Sequence, residues 1–560
     1  MKKLGRIFGL RAAEGIGVFL LCLLALRLVF PAPLSKARTH IWSFSNDPYA
    51  MGDLSGSLYM VMRNASGETG CESTTHGAPW TWDICHEIPN PVVTDMLGSL
   101  VRQFGMPFGY NLGLLFFLAS NGLAVFIVLR LAGARAPPAL FAAIAATIAP
   151  SLVGEIEGGY IQHTWWAPAI FATGCCVAAL GSWKRFWLFF PGVYGLAWSL
   201  SVYAMMPFKL FPWTLAAGLV AVFTGEDRRG KIIRAILGAG ITAAVVFPYL
   251  GSGLESAGPR IFEGPATESS LMKGFMAHTP GDFFSMAWGN PDLVRVPGIL
   301  VWLTLVCVVI SWRKPKVWAP ALGAGILLCA ISLGPNVGDG PFRAGLPYSW
   351  LMNHVDLARG SMRPIRYGVA GMFLLCIACG LSASLLWERV PKVWMRWSGW
   401  TLCTALLLLQ VRPSKMSPNL AWPPWPDLAA IEGEAAVLDI PIAGANERRF
   451  AYWAYHPAPR MNPPHDRGRW KDAIRVPAGQ FPLLSVLDDM ERGKEVTAAR
   501  LEALQGTIPE VEQYGLRHLV VHKDQLSPER INTLVQLFSD IGARRTLSQD
   551  GVLVYGLEPR

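Results

Sequence analysis

The chain has 560 residues, 52% of them hydrophobic and only 16% charged, with a formal net charge of +10. Soluble proteins carry roughly 25% charged residues, so the composition excludes an ordinary soluble enzyme. The Lys and Arg residues sit in short clusters between apolar runs, which points to loops at a membrane surface and anionic headgroups rather than to nucleic acid.

The N-terminus, Met1-Lys2-Lys3 through Arg11, precedes an apolar run from Gly15 to Val29. No small-residue cleavage site follows, and Leu26-Arg27-Leu28-Val29-Phe30-Pro31 is a poor substitute. The run therefore reads as an uncleaved first membrane helix with its N-terminus in the cytoplasm rather than as a signal peptide.

Residues 32–107 form the first long segment outside the apolar runs. Ser45-Asn46-Asp47-Pro48-Tyr49-Ala50-Met51-Gly52-Asp53 holds two carboxylates, Asp47 and Asp53. A carboxylate there can act as a general base toward an acceptor hydroxyl, or hold a divalent cation such as Mg or Mn through oxygen ligands. Asn-Asp-Pro and Gly-Asp are also ordinary turn chemistry. Cys71 and Cys85 are the two cysteines outside the expected spans. In an oxidising compartment they can close a disulfide; the bland alternative is two unrelated thiols. His76 and His86 nearby match no standard metal-ligand spacing, so the identity of any metal stays unknown. Asn64-Ala65-Ser66 matches a glycosylation sequon, a pattern common by chance.

Apolar runs of about 17–25 residues, long enough to cross a bilayer as helix, give about eleven expected spans. They lie near 14–31, 108–130, 137–153, 164–182, 186–204, 208–224, 233–251, 297–312, 317–333, 364–387 and 396–411. Alternate gaps carry Arg130/Arg135, Lys184/Arg185, Arg228/Arg229/Lys231/Arg234, Arg313/Lys314/Lys316 and Arg389/Lys392/Arg396. Placing all five on the cytoplasmic side gives an N-in, C-out topology with 32–107, 252–296 and 334–363 outside.

Two polar constellations fall on that outer side. Between the third and fourth spans, Gly154 to Pro168 packs Glu155, Glu157, His163, Trp165 and Trp166 into a short turn. The tryptophans read most simply as an interfacial belt, with sugar stacking as the functional alternative. Before the tenth span, Arg359, Arg363 and Arg366 fall within Leu357–Tyr367. Guanidinium forks match phosphate oxygens, so these arginines suit a lipid-phosphate donor; snorkelling to headgroups is the plain alternative. In the 252–296 loop, His278-Thr279-Pro280-Gly281-Asp282 is a weaker candidate.

After Arg412 the texture changes. Residues 413–426 read as a Pro- and Trp-rich linker, and 427–560 as a small α/β or α+β soluble domain on the periplasmic side. Its expected strands are Ala436–Pro441, Leu519–His522 and Gly551–Gly556, with amphipathic helices near 496–514 and 527–541. It holds no Gly-rich phosphate loop and no G-x-S-x-G.

The layout resembles the bacterial GT-C superfamily of polytopic membrane glycosyltransferases, in particular its YfhO-like and uncharacterised branches. The residues that carry the resemblance are Tyr110-Asn111-Leu112, the Gly158–Pro168 turn with Gln162 and Trp166-Ala167-Pro168, and Ser332-Leu333-Gly334-Pro335. Leu346-Pro347-Tyr348, Arg363-Pro364-Ile365-Arg366, Val437-Leu438-Asp439-Ile440-Pro441 and Tyr514–Val521 complete it. The resemblance implies an enzyme of the bacterial inner membrane that moves sugar from a polyprenyl-phosphate donor to a glycan, lipid or protein acceptor at the outer face. It places the catalytic carboxylate in the first external loop, on Asp47 or Asp53. The first loop departs from the family's pattern in lacking an adjacent Asp-Asp or Asp-Glu pair. Two other readings stand beside the enzyme: a lipid or solute transporter, and a non-catalytic scaffold of envelope polysaccharide assembly. The spans have clean apolar centres and no detectable inverted repeat, which favours surface chemistry over transport.

Overall fold

The computed structural model describes residues 2–29, 36–42, 53–67, 72–73, 82–83, 91–157, 161–187, 190, 216, 218–219, 227–256, 298–334, 336–337, 344–345, 347–354, 365–411, 420–421, 436–440, 482–491, 494, 496–504, 516–523, 526–549 and 551–557. The chain divides into two compact units. The first comprises Met1–Phe44, Pro89–Leu100 and Phe104–Asn419, and the second Ser45–Ile88, Val101–Gln103 and Leu420–Arg560.

The first unit is a helical bundle and the chain is a membrane protein. Three of its described helices, Phe108–Leu131, Pro315–Ser332 and Arg366–Arg389, are long and apolar enough to cross a bilayer, as is the helical stretch Ala136–Val153 as a whole. The helices that matter for the site are α1 (Lys2–Val29), α4 (Phe108–Leu131), α5 (Ala136–Thr147), α6 (Pro150–Glu157), α7 (Ala167–Leu180) and α8 (Arg228–Ser256). They are followed by α9 (Gly298–Ile310), α10 (Pro315–Ser332), α11 (Pro347–His354), α12 (Ile365–Arg389) and α13 (Val393–Val411). The expected third span, 137–153, divides into α5 and α6. Pro150 explains the break, because its ring cannot accept helical geometry from the residue before it. The long segment 32–107 contains two helices the sequence reading had passed over, α2 (Asp53–Ser66) and α3 (Pro91–Phe104). The expected spans 186–204 and 208–224 lie almost wholly outside the described residues.

The centre of the bundle is α12. Within its most apolar stretch 89% is buried, against 44% for α10. It packs on α10, α5, α9 and α4. In lipid, close backbone approach does the work that the hydrophobic effect does in water, so small residues mark the contacts. A Cβ on Gly371 of α12 would meet Cys329 Sγ at 2.8 Å and the Gly325 carbonyl of α10 at 3.0 Å. On α4, a Cβ on Gly122 would run into Thr147 Oγ1 and lie 2.6 Å from the Ala143 carbonyl of α5.

Contacts bring the basic turns to one end of the bundle. Arg130 pairs with Glu14 of α1 at 3.2 Å, and Arg135 with Glu388 of α12 at 2.9 Å. Arg389 donates to the Ile310 carbonyl at the end of α9. Arg234 reaches the Leu180 carbonyl at the end of α7 at 3.0 Å, pairs with Asp227 at 2.7 Å and lies over the Trp183 ring. Arg366 starts α12 and Glu388 nearly ends it, so about 33 Å of helix separates that basic end from the opposite one.

The second unit contains a four-stranded mixed sheet of order β1-β2-β4-β3, from β1 (Ala436–Ile440), β2 (Leu516–His522), β3 (Arg544–Gln549) and β4 (Val552–Gly556). The β1–β2 pair is parallel and the other two are antiparallel. Alternate residues Leu438/Ile440, Leu519/Val521 and Leu553/Tyr555 join one apolar cluster with Leu483 and Leu487 of α14 (Pro482–Glu491) and with Leu534, Leu537 and Phe538 of α16 (Pro528–Asp540). Arg500 of the intervening α15 (Ala498–Leu504) holds Asp489 of α14 at 2.8 Å. On the other face of the sheet Asp439 and His522 are fully buried and meet at 3.1 Å, linking β1 to β2. Ser527 caps α16 by accepting from the Arg530 amide.

Candidate functional site

The end of the bundle opposite the basic turns is organised by two asparagines of α4. Asn111, 1% exposed, accepts at Oδ1 from the Trp42 amide at 3.1 Å and donates at Nδ2 to the carbonyls of Ala37 and His40 at 3.1 and 2.8 Å. One side chain thus satisfies three backbone groups of the segment that leaves α1, which is the physical use of Tyr110-Asn111-Leu112. Arg38 lies over the Phe108 ring beside it, 5.6 Å from the centroid.

Asn121 does the same one level deeper, where it is fully buried. Its Nδ2 donates to the Thr164 carbonyl at 2.7 Å and its Oδ1 accepts from the Trp166 amide at 2.8 Å. Thr164 Oγ1 in turn donates to the Ile161 carbonyl at 2.6 Å. These bonds hold the turn between α6 and α7, including its short 3-10 segment Ile161–His163, against the middle of α4. Trp165 donates to Ser120 Oγ at 3.1 Å and stacks on Phe117. Trp166 is only 1% exposed; its indole N–H donates to the His163 carbonyl and its ring packs on Phe373 of α12. His163 is equally buried, at 2%. Both residues are thus packed between helices, and Trp166 lies at the level of Phe373 rather than in a belt at the bundle's edge.

Above this floor, α6 runs along the first two turns of α12. Ser151 meets Met372 at 3.9 Å, and one turn on, Glu155 Oε1 lies 4.0 Å from Arg366 Nε. Arg366 sits seven residues, about 10 Å, before Phe373 along α12. The two charged side chains are 13% and 12% exposed. Next to Arg366, Tyr367 packs edge-on against Tyr348 of α11 with ring centroids 6.2 Å apart, and both rings are buried. Glu155, Tyr348 and the Arg366-Tyr367 pair, far apart in sequence, therefore come together at one end of the bundle.

Of the remaining expected residues, Asp47, Arg359, Arg363, Cys71 and Cys85 lie outside the described residues. Asp53 opens α2 and Glu157 closes α6, with their side chains outside the description. Among the described residues no three His, Cys, Asp or Glu side chains gather as a metal site. Glu155 already faces a guanidinium, and a carboxylate so neutralised is a poor ligand for Mg²⁺ or Mn²⁺. Sequence reasoning passed over Asn121 and took Asn111 only as part of the family resemblance, without a role of its own. An Asn inside an apolar run of a membrane helix was the available signal, since such a group has to find a partner.

No protein-family model matches the chain, and no curated protein matches it. Among solved structures, it is similar to the archaeal oligosaccharyltransferase AglB from Archaeoglobus fulgidus in complex with an inhibitory peptide and a dolichol-phosphate. Identity is 11% over 97% of this chain and 74% of that one, with a TM-score of 0.45. The Archaeoglobus fulgidus oligosaccharyltransferase in its apo form gives 10% identity over 90% and 69%, with a TM-score of 0.44. Its complex with Zn and sulfate gives 12% over 96% and 72%, with a TM-score of 0.46. These likenesses are too distant to carry an assignment and give the YfhO-like branch no support.

Proposed function

We propose that the chain is a membrane glycosyltransferase of GT-C type, which moves a sugar from a polyprenyl-phosphate donor to an acceptor at the membrane face opposite its basic turns. The observation that carries this reading is the Glu155–Arg366 pair, two largely buried charges facing each other between α6 and α12. Ionisable groups held at membrane depth are costly and mark sites of chemistry by default. At 4.0 Å each charge compensates the other where an uncompensated one would be costly.

In this reading the acceptor hydroxyl attacks the anomeric carbon, and the bond from that carbon to the phosphate oxygen breaks. The lipid phosphate leaves with the electron pair, and its new charge meets Arg366. A cation already in place as charge develops lowers the barrier directly. Glu155 is the positioning residue that keeps Arg366 oriented before the donor arrives. The acceptor's proton passes to a carboxylate, assigned to Asp47 or Asp53 on the family resemblance. On the sequence alone, Arg359 and Arg363 are proposed as further contacts for the donor's phosphate, and Cys71–Cys85 as a disulfide of the first loop.

The test is transfer by purified full-length protein in lipid, using radiolabelled polyprenyl-phosphate sugars with envelope extract as acceptor. Wild type is compared with Arg366→Gln, Glu155→Gln, Asp47→Asn and Asp53→Asn. Arg366→Gln is expected to lower kcat by about 100-fold and Glu155→Gln by less, with one of the two Asp variants inactive. Full transfer by well-folded Arg366→Gln protein would overturn the assignment.

A further inference from the structure

At the basic end, two turns meet. One joins α9 to α10 through Ser311–Lys314 and the other joins α12 to α13 through Val390–Lys392, and Arg389 bridges them through the Ile310 carbonyl. Around the meeting point Arg313, Lys314, Lys316, Arg389 and Lys392 are exposed. Arg396 is half-buried, donating to the Val390 carbonyl and lying 5.9 Å over the Trp387 ring. Against these six cations the stretches 307–318 and 386–397 contain a single acid, Glu388, which Arg135 already holds.

The cations are not alone. Trp312 and Trp394 are each 65% exposed and Trp397 is 53% exposed. Val309 and Val393 are also exposed, continuing the apolar sides of α9 and α13. Indoles with an apolar body and a polar N–H settle at the headgroup level of a bilayer. Cations beside them lie within reach of lipid phosphates. A soluble anion would use the cations and leave the indoles idle, whereas a lipid uses both.

We propose that this pair of turns is a binding site for an anionic phospholipid, its headgroup phosphate among Arg313, Lys314, Lys316 and Lys392 and its upper acyl chains against Trp312 and Trp394. The site is separate from the Glu155–Arg366 pair, so its fate does not depend on the transferase reading.

The experiment titrates delipidated full-length protein in detergent with phosphatidylglycerol or phosphatidylcholine of the same acyl chains, counting bound lipid by native mass spectrometry. Two fourfold variants are compared: Arg313→Gln/Lys314→Gln/Lys316→Gln/Lys392→Gln, and, at the same end, Lys184→Gln/Arg185→Gln/Arg228→Gln/Arg229→Gln. The first is expected to lose about tenfold or more in phosphatidylglycerol affinity and the second to keep it. Phosphatidylcholine binds weakly in every case, and inorganic phosphate does not displace the lipid. Equal losses in both variants would show only diffuse charge and overturn the site. So would equal binding of the two lipids, or displacement by phosphate. Should the first variant fail to fold, the milder Lys316→Gln/Lys392→Gln pair is expected to lose a smaller but measurable part of the affinity, and unchanged affinity there would equally overturn it.

Discussion

The two ends of the bundle use charge in opposite ways. At the basic end Arg135 and Glu388 meet with side chains 59% and 47% exposed, and most of the cations there are exposed too, Arg234 beside Asp227 being the buried exception. At the far end Glu155 and Arg366 meet with side chains 13% and 12% exposed. Exposed ion pairs contribute only about 0.2–1 kcal/mol, so charge at the basic end sets orientation and lipid contact more than stability. A largely buried pair, by contrast, leaves a costly orphan when one partner is removed. The difference teaches where substitution should be silent and where it should not.

The deepest test of the comparison lies between the ends. Gly122→Val would drive a branched side chain into Thr147 and the Ala143 carbonyl. The α4–α5 contact is expected to lose about 3 kcal/mol or more, read as loss of a monodisperse peak on size-exclusion chromatography. Asn121→Ala would strip partners from the Thr164 carbonyl and the Trp166 amide, both buried. It is expected to cost about 1–3 kcal/mol, measured by thermal unfolding in detergent. An unchanged melting temperature would show that the turn is held by something other than α4.

The sheet unit offers a contrast in pH. Burial of His518, reinforced by the charge of Arg517, pushes its imidazole below the ordinary histidine range. A base depressed in the folded state binds fewer protons there, so stability is lost as pH falls through the ordinary histidine pKa toward the folded one. Asp489 is depressed too, by its hydrogen bonds to Lys494 and Arg500. Its contribution holds above the ordinary aspartate range and is lost as pH falls through the folded value. Hydrogen-exchange protection factors across β2 in the full chain, corrected for intrinsic rate, should fall first below about pH 6.5 and again near pH 4 or below. His518→Gln should remove the first step alone. The smallest expected effect is Arg135→Gln, within about 1 kcal/mol, which checks that the basic end is structurally permissive; a larger loss would erase the contrast between the ends.

Much of the bundle was legible because apolar length is a strong signal. The expected run 108–130 is α4, 317–333 is α10 and 364–387 is α12, each within two or three residues. The strand at Ala436–Ile440 was legible as an apolar, β-compatible run, and the helix at Pro528–Asp540 as an amphipathic stretch. The misses have physical causes. Arg544–Gln549 carries two arginines, a serine and a glutamine, so β3 lacks the alternation that marks a strand. In α3 the apolar residues follow a helical spacing too short for a span, so 91–104 vanished into an external loop. At the candidate site, residue type identified Glu155 and Arg366 but not their meeting, which depends on α6 lying along α12. Nor could a sequence window show that Trp166 is clamped by an asparagine 45 residues earlier.

The central position of α12 has a consequence for how the protein is made. Its main packing partners α4, α5, α9 and α10 all precede it in the chain. During synthesis those helices enter the bilayer first and leave a slot open between them, which only residues 365–389 can close. A chain that stops short of that helix would present its small-residue grooves, Gly325 among them, to lipid and to the quality-control machinery of the membrane. Premature stops before residue 365 should therefore yield rapid clearance rather than a stable shortened bundle.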